Sequence, residues 1–352
     1  MSADTSSALT RRSSPHRGGG PARRRALGGA FLVAALVAVC FASLAIGTAD
    51  IPLHTVWHAL TTFDPADPDH IAIVLKRLPR TLVGIAVGVA LGLAGTLAQG
   101  ITRNPLADPG ILGISQGAAL AVVAGIVVFG ATQPAQYLWF AFAGACVAAV
   151  FVWSIASRGR DGATPVKLAL AGAAVAAAFS SLASGVLIAD RQALDTMRFW
   201  QVGSLAGRGF DVLLPALPAI VVGAVAALTL GRTLNLLALG DDTAAALGVR
   251  VGRSRLIGGV LVAVLAGAAT AVAGPIAFLG LIVPHAVRIL TGADYRWILA
   301  YSAPAAATLL VAADVVARVV ARPGEVQVGI VVAVIGAPVF IALVRRGKAA
   351  TL

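Results

Sequence analysis

Residues 96–120 read TLAQGITRNPLADPGILGISQGAAL and place a charged, proline-broken segment between two apolar runs rich in glycine and alanine. Pro105 and Pro109 cannot donate backbone hydrogen bonds, and each disfavours helical geometry in the residue before it. The segment is therefore either a simple turn between two helices or part of a site. The long apolar runs on both sides of it decide the fold class.

The composition of the whole chain agrees with these runs. The chain has 352 residues, of which 59% are hydrophobic and 12% are charged, whereas a soluble domain carries about 25% charged residues. Because about 20 apolar helical residues span a hydrocarbon core of ~30 Å, we predict an all-α polytopic membrane protein. The net charge of +12 comes without basic stripes interleaved with aromatics. It therefore indicates loops beside anionic lipid, and not nucleic-acid binding.

Apolar runs predict about ten transmembrane helices. Ten spans place both termini on one side of the membrane, and this layout puts 19 of the 27 Lys and Arg residues on that side. The positive-inside rule makes that side cytoplasmic. Residues 1–25 are predicted to be a disordered basic cytoplasmic tail, 26–346 the transmembrane domain and 347–352 a short cytoplasmic end. The predicted spans are 26–48, 81–101, 111–130, 136–157, 167–188, 212–231, 255–273, 276–290, 298–317 and 328–344.

Two apolar segments resemble each other. RLPRTLVGIAVGVALGLAGTLAQ (77–99) and RSRLIGGVLVAVLAGAATAVAG (253–274) both begin with Arg and Leu and continue into Gly/Ala-rich helix. Because the first starts outside and the second inside, they predict an inverted repeat of two five-helix halves. Gly84, Gly88 and Gly92 recur every four residues and predict a smooth stripe for close helix packing.

Ionisable residues are scarce within the predicted spans. Asp314 stands four residues before Arg318, which predicts an ion pair on the helix surface near the outer end of the span. No chain of intramembrane carboxylates is present, and this disfavours an ion-driven pump. The absence of Ser/His, paired-Asp or HExxH groups in the spans likewise disfavours an enzyme.

The remaining candidates for chemistry have simpler interpretations. Cys40 and Cys146 lie singly in apolar runs, which favours packing over a disulfide or metal site. His54 and His58, four residues apart, indicate one face of an interfacial helix. We therefore predict no metal site.

The segment GDDTAAALG (240–248) predicts a short cytoplasmic helix between two spans. Thr243–Leu247 can form the helix, Asp241 and Asp242 can cap its N-terminus, and Gly248 can close it. Such a helix is either a rigid attachment point for a cytoplasmic protein or an ordinary interfacial helix.

Several separated strings resemble the FecCD family of permeases, which belong to binding-protein-dependent ABC importers for iron-siderophores, haem and vitamin B12. The resemblance covers nearly everything after residue 25. It is carried by 77–120, by FWQVGSLAGR (199–208), by LGDDTAAALGV (239–249), by GPIAFLGLIVPHAVRIL (274–290) and by 313–346.

The resemblance implies a permease domain and a set of partners. A second permease subunit, either a copy or a paralogue, would complete a dimer around a translocation path. Separate ATPase subunits would hold ATP–Mg on the cytoplasmic side, so that this chain needs no cofactor and is no enzyme. An extracytoplasmic binding protein would dock on the other face, and lipid of a bacterial inner membrane would surround the dimer.

The resemblance also assigns residues. The implied ATPase-coupling segment comprises Gly240, Asp241, Asp242, Leu247 and Gly248. The implied docking residues for the binding protein are Arg77, Arg80 and Arg318, which makes docking the favoured role of Arg318 over a local pair alone. We place the proline-broken segment beside the path as a structural elbow. The candidate path residues are Asn104, Pro105, Gln116, Ser180, Ser181 and Ser184.

The substrate remains open at this point. Iron-siderophore complexes are the favoured cargo, and haem and vitamin B12 are alternatives within the family. An ion-gradient-driven secondary transporter is the alternative from another class. ATP dependence of uptake distinguishes the two classes.

Overall fold

The computed structural model describes residues 21–159 and 163–349, and its regular elements within these ranges are helical. A π-helical turn at Ala72–Arg77 and a tighter 3-10 turn at Pro109–Leu112 supplement the α-helices. The α-helices are α1 Pro21–Ala45, α2 Leu53–Thr61, α3 Pro68–Ile71, α4 Leu78–Thr102, α5 Ile114–Phe129, α6 Pro134–Ala156, α7 Pro165–Ala189, α8 Arg191–Trp200, α9 Phe210–Thr229, α10 Gly231–Ala238, α11 Asp241–Ala246, α12 Val251–Ala273, α13 Leu279–Thr291, α14 Tyr295–Val320 and α15 Val328–Ala349.

Seven helical segments of the described ranges are long and apolar enough to cross a membrane. Three shorter apolar helices, α5, α13 and Val328–Ala342 of α15, coincide with the remaining predicted spans. The chain is therefore an all-α multi-pass protein, as predicted. The count of ten spans, the side of the termini and the complete repeat stay predictions. The seven segments are Arg25–Ala45, Pro68–Thr102, Pro134–Ala156, Pro165–Ala189, Phe210–Thr229, Val251–Ala273 and Tyr295–Val320.

Two boundaries differ from the predictions. Helix α1 begins at Pro21, so 21–25 of the predicted tail are helical, while residues 1–20 lie outside the described ranges. Helix α13 begins at Leu279 and not at 276, because Gly274 and Phe278 adopt positive φ values of 75° and 66°. Such backbone angles cannot continue a right-handed helix.

Helices α4 and α12 form the enclosed centre of the bundle, since most of their apolar residues are buried inside the chain. The predicted glycine stripe packs α4 against α14: a Cβ on Gly88 would lie 2.5 Å from the Cα of Ala307, and one on Gly92 would lie 2.6 Å from the carbonyl oxygen of Ser302. Gly258, early in α12, packs against Ile101, late in α4. The two central helices are thus antiparallel, as the predicted inversion requires.

The contacts of helix α1 define the two ends of the bundle. Its last turn contacts α4 through Ser43 and Thr81, whose hydroxyl oxygens are 2.7 Å apart. At its other end the guanidinium carbon of Arg25 lies 4.9 Å from the centre of the Trp297 ring, early in α14. We refer to the end that holds Ser43 and Arg318 as the Arg318 end, and to the opposite end as the Asp241 end.

Candidate functional site

Arg80 holds two carboxylates at the Arg318 end. Its Nε and Nη2 donate to Asp314 Oδ2 and Oδ1 at 2.9 and 2.8 Å, in the forked geometry that suits a guanidinium and a carboxylate. Its Nη1 donates to Glu325 Oε2 at 2.8 Å. Arg80 therefore joins the start of α4 to the end of α14 and to the loop before α15.

Arg318 belongs to the same cluster and is buried, with 2% of its surface exposed. Its Nε lies 3.2 Å from Asp314 Oδ2, so the predicted i,i+4 pair is present. Its Nη1 and Nη2 donate to the carbonyl and hydroxyl oxygens of Ser43 at 2.9 and 2.7 Å. The predicted surface location is wrong, because α1 covers this face of α14.

Arg77 caps the C-terminus of α1. Its Nη1 donates to the carbonyl oxygens of Leu44 and Ala45, both at 2.8 Å, and its Nη2 donates to that of Ala49 at 2.6 Å. The last carbonyls of a helix lack partners within it and carry partial negative charge, so a guanidinium satisfies both needs. This capping role was not predicted from the sequence.

These contacts define the arginine cluster: Arg77, Arg80, Arg318, Asp314 and Glu325. All three guanidinium groups already have partners within the chain. A carboxylate from another protein would therefore compete with these internal acceptors. Glu325 is the most accessible internal acid, with 30% of its side chain exposed against 3% for Asp314. Docking through the three arginines stays a prediction.

A second ion pair fastens the loop between α14 and α15. Arg322 Nη2 donates to Asp50 Oδ1 at 2.6 Å. The hydrogen bond from Arg322 lowers the pKa of the Asp50 carboxyl below its usual value. With Arg80–Glu325, this pair holds both halves of the loop against the α1–α2 connection and the start of α4.

The implied coupling segment lies at the Asp241 end. Helix α11 begins at Asp241, so Asp241 and Asp242 are its first residues, and the prediction that they cap it is wrong. Gly240 takes the cap position with φ 106°, where no side-chain capping bond forms. Gly248 has φ 85° just beyond the helix and ends it as predicted.

Asp241 instead connects three elements. Its Oδ1 accepts a hydrogen bond from Arg255 Nη2 of α12 at 2.8 Å and lies 3.6 Å from Nη2 of Arg103, just after α4. We call Asp241, Arg255 and Arg103 the aspartate junction. Arg103 is the first residue of the segment RNPLADPG, so the junction links the two stretches that the sequence analysis considered separately.

A second polar group at this end was not predicted from the sequence. Asp294 Oδ1 accepts from the backbone N–H of Arg296 at 3.0 Å and from Asn235 Nδ2 at 2.7 Å. Asn235 Oδ1 in turn accepts from the N–H of Tyr295 at 2.8 Å. The Arg296 side-chain hydrogen bond and then that of Asn235 hold the pKa of Asp294 well below its usual range. An Asp just before an apolar helix is the capping signal that could have revealed it.

The proline-broken segment turns back into the bundle as an elbow. Asn104 and Pro105 are exposed at the Asp241 end, where Asn104 Oδ1 accepts from the N–H of Leu106 at 2.9 Å. Pro109 is buried, and Gly280 leaves room for it: a Cβ on Gly280 would lie 2.9 Å from Pro109 Cδ. Irregular backbone inside a bundle requires such a protein cover.

Three predicted path residues share a cavity of about 470 Å³ between α5, α7 and α8. Gln116, Ser180 and Ser184 line it, and we call it the serine cavity. Ser181 is exposed outside it, and Asn104 and Pro105 lie in the elbow. Ser115 and Gln201 are lining residues that the sequence analysis did not name. Across the described ranges, no group of three or more His, Cys, Asp or Glu could hold a metal ion.

A comparison with protein-family models identifies the family of this chain. The family model described as the FecCD transport family matches residues 35–346. The chain belongs to the FecCD transport family. This assignment covers the arginine cluster, the elbow, the serine cavity and the aspartate junction together.

Individual relatives match the sequence of this chain over almost their full length. The ferric enterobactin transport system permease protein FepD of Escherichia coli (strain K12) is 47% identical over 330 residues, 93% of this chain and 98% of FepD. YfiZ of Bacillus subtilis (strain 168), named a probable siderophore transport system permease protein, is 44% identical over 312 residues, 89% of this chain and 93% of YfiZ. A solved metal-chelate type ABC transporter in an inward-facing conformation matches with a TM-score of 0.77 at 31% identity, covering 90% of this chain and 98% of that one.

Proposed function

We propose that this chain is the membrane permease of a binding-protein-dependent ABC importer for iron-siderophore complexes in a bacterial inner membrane. ATP hydrolysis would occur in a separate subunit that binds ATP–Mg, because the chain contains no GxxxxGK[ST] phosphate-binding string. The proposal is supported by FecCD membership and by the siderophore relatives. Haem and vitamin B12 remain alternative cargoes of the same machinery.

The observation that carries the proposal is the arrangement along α4. Arg80 near its start belongs to the arginine cluster, and Arg103 just beyond its end belongs to the aspartate junction. The elbow begins at Arg103, at the Asp241 end, and the serine cavity lies between α5, α7 and α8. An importer needs an entry for cargo, a path and a contact for its ATPase, and one helix connects candidates for all three.

At the Arg318 end the binding protein would dock by carboxylate exchange. An acidic side chain of the incoming protein would replace Glu325 on Arg80, while Asp314 keeps its forked contact. Replacing one carboxylate by another conserves the ionic contact, so docking costs little desolvation. Release of Glu325 would free one attachment of the loop between α14 and α15.

At the Asp241 end the ATPase subunit would contact α11. Leu247 is an apolar side chain with 58% of its surface exposed, and Asp242 and Gly248 beside it are exposed too. Asp241 faces inward to Arg255 and Arg103. In this proposal Leu247, Asp242 and Gly248 form the contact, Gly240 provides the turn that begins α11, and Asp241 transmits its displacement to α4 and α12.

The serine cavity would form part of the path. Its polar groups are neutral hydroxyls and amides, which can exchange hydrogen bonds with a passing cargo without holding it by charge. Ser180 and Ser184 are exposed on α7, so a second permease subunit, a copy or a paralogue, would close the path from the other side. Ser181, Asn104 and Pro105 would face the path outside the cavity.

Reconstituted uptake tests the proposal. The permease is placed in liposomes with its ATPase and binding protein, and uptake of an iron-siderophore is compared with and without ATP. Uptake that requires ATP and both partners is expected. Uptake by the permease alone under a proton or sodium gradient would contradict the proposal and support a secondary transporter. Competition by haem or cobalamin distinguishes the cargo alternatives.

A further inference from the structure

Arg208, the last residue of FWQVGSLAGR, differs from the other arginines at the Arg318 end. It is 8% exposed, and its Nε and Nη1 are buried without a hydrogen-bond partner. Within the described residues it has no carboxylate at ion-pair distance. The nearest compensating group is the Tyr137 ring, whose centre lies 5.8 Å from the guanidinium carbon.

An unpaired buried guanidinium is costly. Desolvation of a charge is offset only by a counter-ion or by hydrogen bonds, and an aromatic ring compensates in part. The buried guanidinium groups of Arg80 and Arg318, by contrast, each have Asp314 as a counter-ion. A buried arginine without a counter-ion is a place where a ligand can provide one.

Arg208 lines a cavity of about 660 Å³ at the Arg318 end, which we call the arginine cavity. Its volume falls in the range of small-molecule sites, about 300–1,000 Å³. Five cationic side chains against three acidic ones give the lining a formal excess of two positive charges. The charged lining residues are Lys76, Arg77, Arg80, Arg208 and Arg318, with Asp69, Asp211 and Glu325.

The other arginines of the arginine cavity are less available. Arg77 is committed to three carbonyl oxygens of the α1 end, and Arg80 and Arg318 to Asp314. Lys76 is exposed to solvent, so Arg208 is the buried cation of this lining that no acid or carbonyl oxygen of the described residues neutralises. Its recessed position suits a small anion that enters the cavity.

We propose that the arginine cavity binds an anionic metal chelate, with Arg208 as its counter-ion, before the chelate reaches the serine cavity. This inference rests on the proposed import function and narrows its substrate class to chelates with net negative charge. Neutral and cationic chelates would gain nothing from Arg208. The two cavities then differ in task, since one attracts by charge and the other lets the cargo pass through neutral groups.

Binding to the full-length permease alone, in lipid nanodiscs, tests the inference. Calorimetric titration with ferric citrate, an anionic carboxylate chelate, is performed at low and high salt on the wild type and on Arg208→Gln, Arg208→Lys and Arg232→Gln. Arg232 is an exposed arginine of α10 and serves as the matched charge control. We expect affinity to fall about tenfold or more in Arg208→Gln with a weaker salt dependence, and a few-fold in Arg208→Lys. Arg232→Gln should keep the wild-type affinity.

Three results overturn the inference: no saturable, salt-sensitive binding by the wild type, unchanged affinity in Arg208→Gln, or equal losses in the Arg208 and Arg232 variants. If Arg208→Gln does not fold, Arg208→Lys decides by the same comparison, because it retains the charge but loses the guanidinium. Weaker docking of the binding protein with unchanged citrate binding would assign Arg208 to docking instead. ATP-dependent uptake is measured separately. Failure of citrate binding therefore leaves the import function intact, and failure of ATP-dependent uptake leaves the binding result intact.

Discussion

The two ends of the bundle use the same ion-pair chemistry in opposite surroundings. At the Arg318 end, Asp314 and Arg318 have 3% of their side chains exposed and Arg80 has 12%. At the Asp241 end, Asp241 and Arg103 have 40% and 38% exposed, and only Arg255 is buried. Burial makes the first cluster part of the fold, whereas exposure leaves the second free to respond to a partner.

Exposure to solvent determines how much free energy each ion pair contributes. Removing one partner of a buried ion pair leaves an uncompensated charge and costs about 3–5 kcal/mol. An exposed pair competes with water and salt and contributes about 0–1 kcal/mol. Substitutions of the buried pair Asp314 and Arg318 should therefore act mainly on stability, and those of the exposed Asp241 mainly on transport.

The largest effect is expected for Asp314→Asn. Two buried guanidinium groups, those of Arg80 and Arg318, would lose their shared carboxylate. We predict a loss of about 3–5 kcal/mol in the free energy of unfolding, measured by thermal or denaturant unfolding of the detergent-solubilised chain.

The double variant Asp314→Leu/Arg318→Met is the control for Asp314→Asn. It removes one of the two stranded guanidiniums together with the carboxylate and fills the space with apolar side chains, so it should be less destabilised than Asp314→Asn. A loss of less than about 1 kcal/mol for Asp314→Asn would show that the cluster behaves like a surface pair.

Asp294→Ala tests the polar group at the start of α14, at the Asp241 end. The variant loses an N-cap and the bond from Asn235, and we predict a destabilisation of about 1–2 kcal/mol. The pKa of Asp294 is lowered by folding, so its stabilisation is present above the ordinary Asp pKa of about 4 and is lost as the pH falls below it.

The wild type and Asp294→Ala should therefore differ in unfolding temperature at pH 7 and converge under acid conditions. Asp69→Ala is a matched control. This exposed Asp belongs to neither the arginine cluster nor the aspartate junction, and its substitution should have a smaller effect on the unfolding temperature. A difference that does not shrink on acidification would contradict the assigned cause.

Asp241→Asn should cost about 1 kcal/mol or less in stability, because Asp241 is 40% exposed. Its effect on function should be much larger: ATP-dependent uptake should fall several-fold while the chain still folds, because α11 loses its ionic link to α4 and α12. Asp195→Asn is the control, because it removes an exposed ion pair, with Arg198 of α8, outside the aspartate junction and should leave uptake unchanged. Wild-type uptake by Asp241→Asn would exclude the aspartate junction from coupling.

Glu325→Gln is expected to change stability least, by about 0.5 kcal/mol, since Glu325 is 30% exposed and Arg80 keeps Asp314. Because Gln competes less strongly for Arg80, binding-protein affinity should rise a few-fold at low salt. Asp50→Asn, which loosens the same loop without touching Arg80, is the control. Equal effects of Glu325→Gln and Asp50→Asn would indicate loop mobility instead of carboxylate exchange.

Local sequence patterns predicted the features that depend on neighbours in the chain. Apolar run length placed the helices, and i,i+4 spacing found Asp314 with Arg318. Periodicity also identified the glycine face of α4. The FecCD resemblance, carried by several separated strings, gave the family.

The partners supplied by distant segments could not be predicted in this way. Ser43 bonds Arg318 across 275 positions, and Arg80 meets Asp314 across 234. Only the packing of α1 and α14 against α4 brings these groups together, so the arginines looked exposed in the sequence. Asp241 looked like a helix cap because its real partners, Arg255 and Arg103, lie on other elements.

The glycine contact between α4 and α14 limits which movements the transporter can use. At Gly88 and Gly92 the backbones touch, so sliding either helix by one residue, about 1.5 Å, would press a side chain into the opposing backbone. We therefore expect these two helices to keep their register through a transport cycle. We expect α7 and α8 to move instead during the cycle. Their outer faces are sparsely packed within the chain, and both helices border the serine cavity.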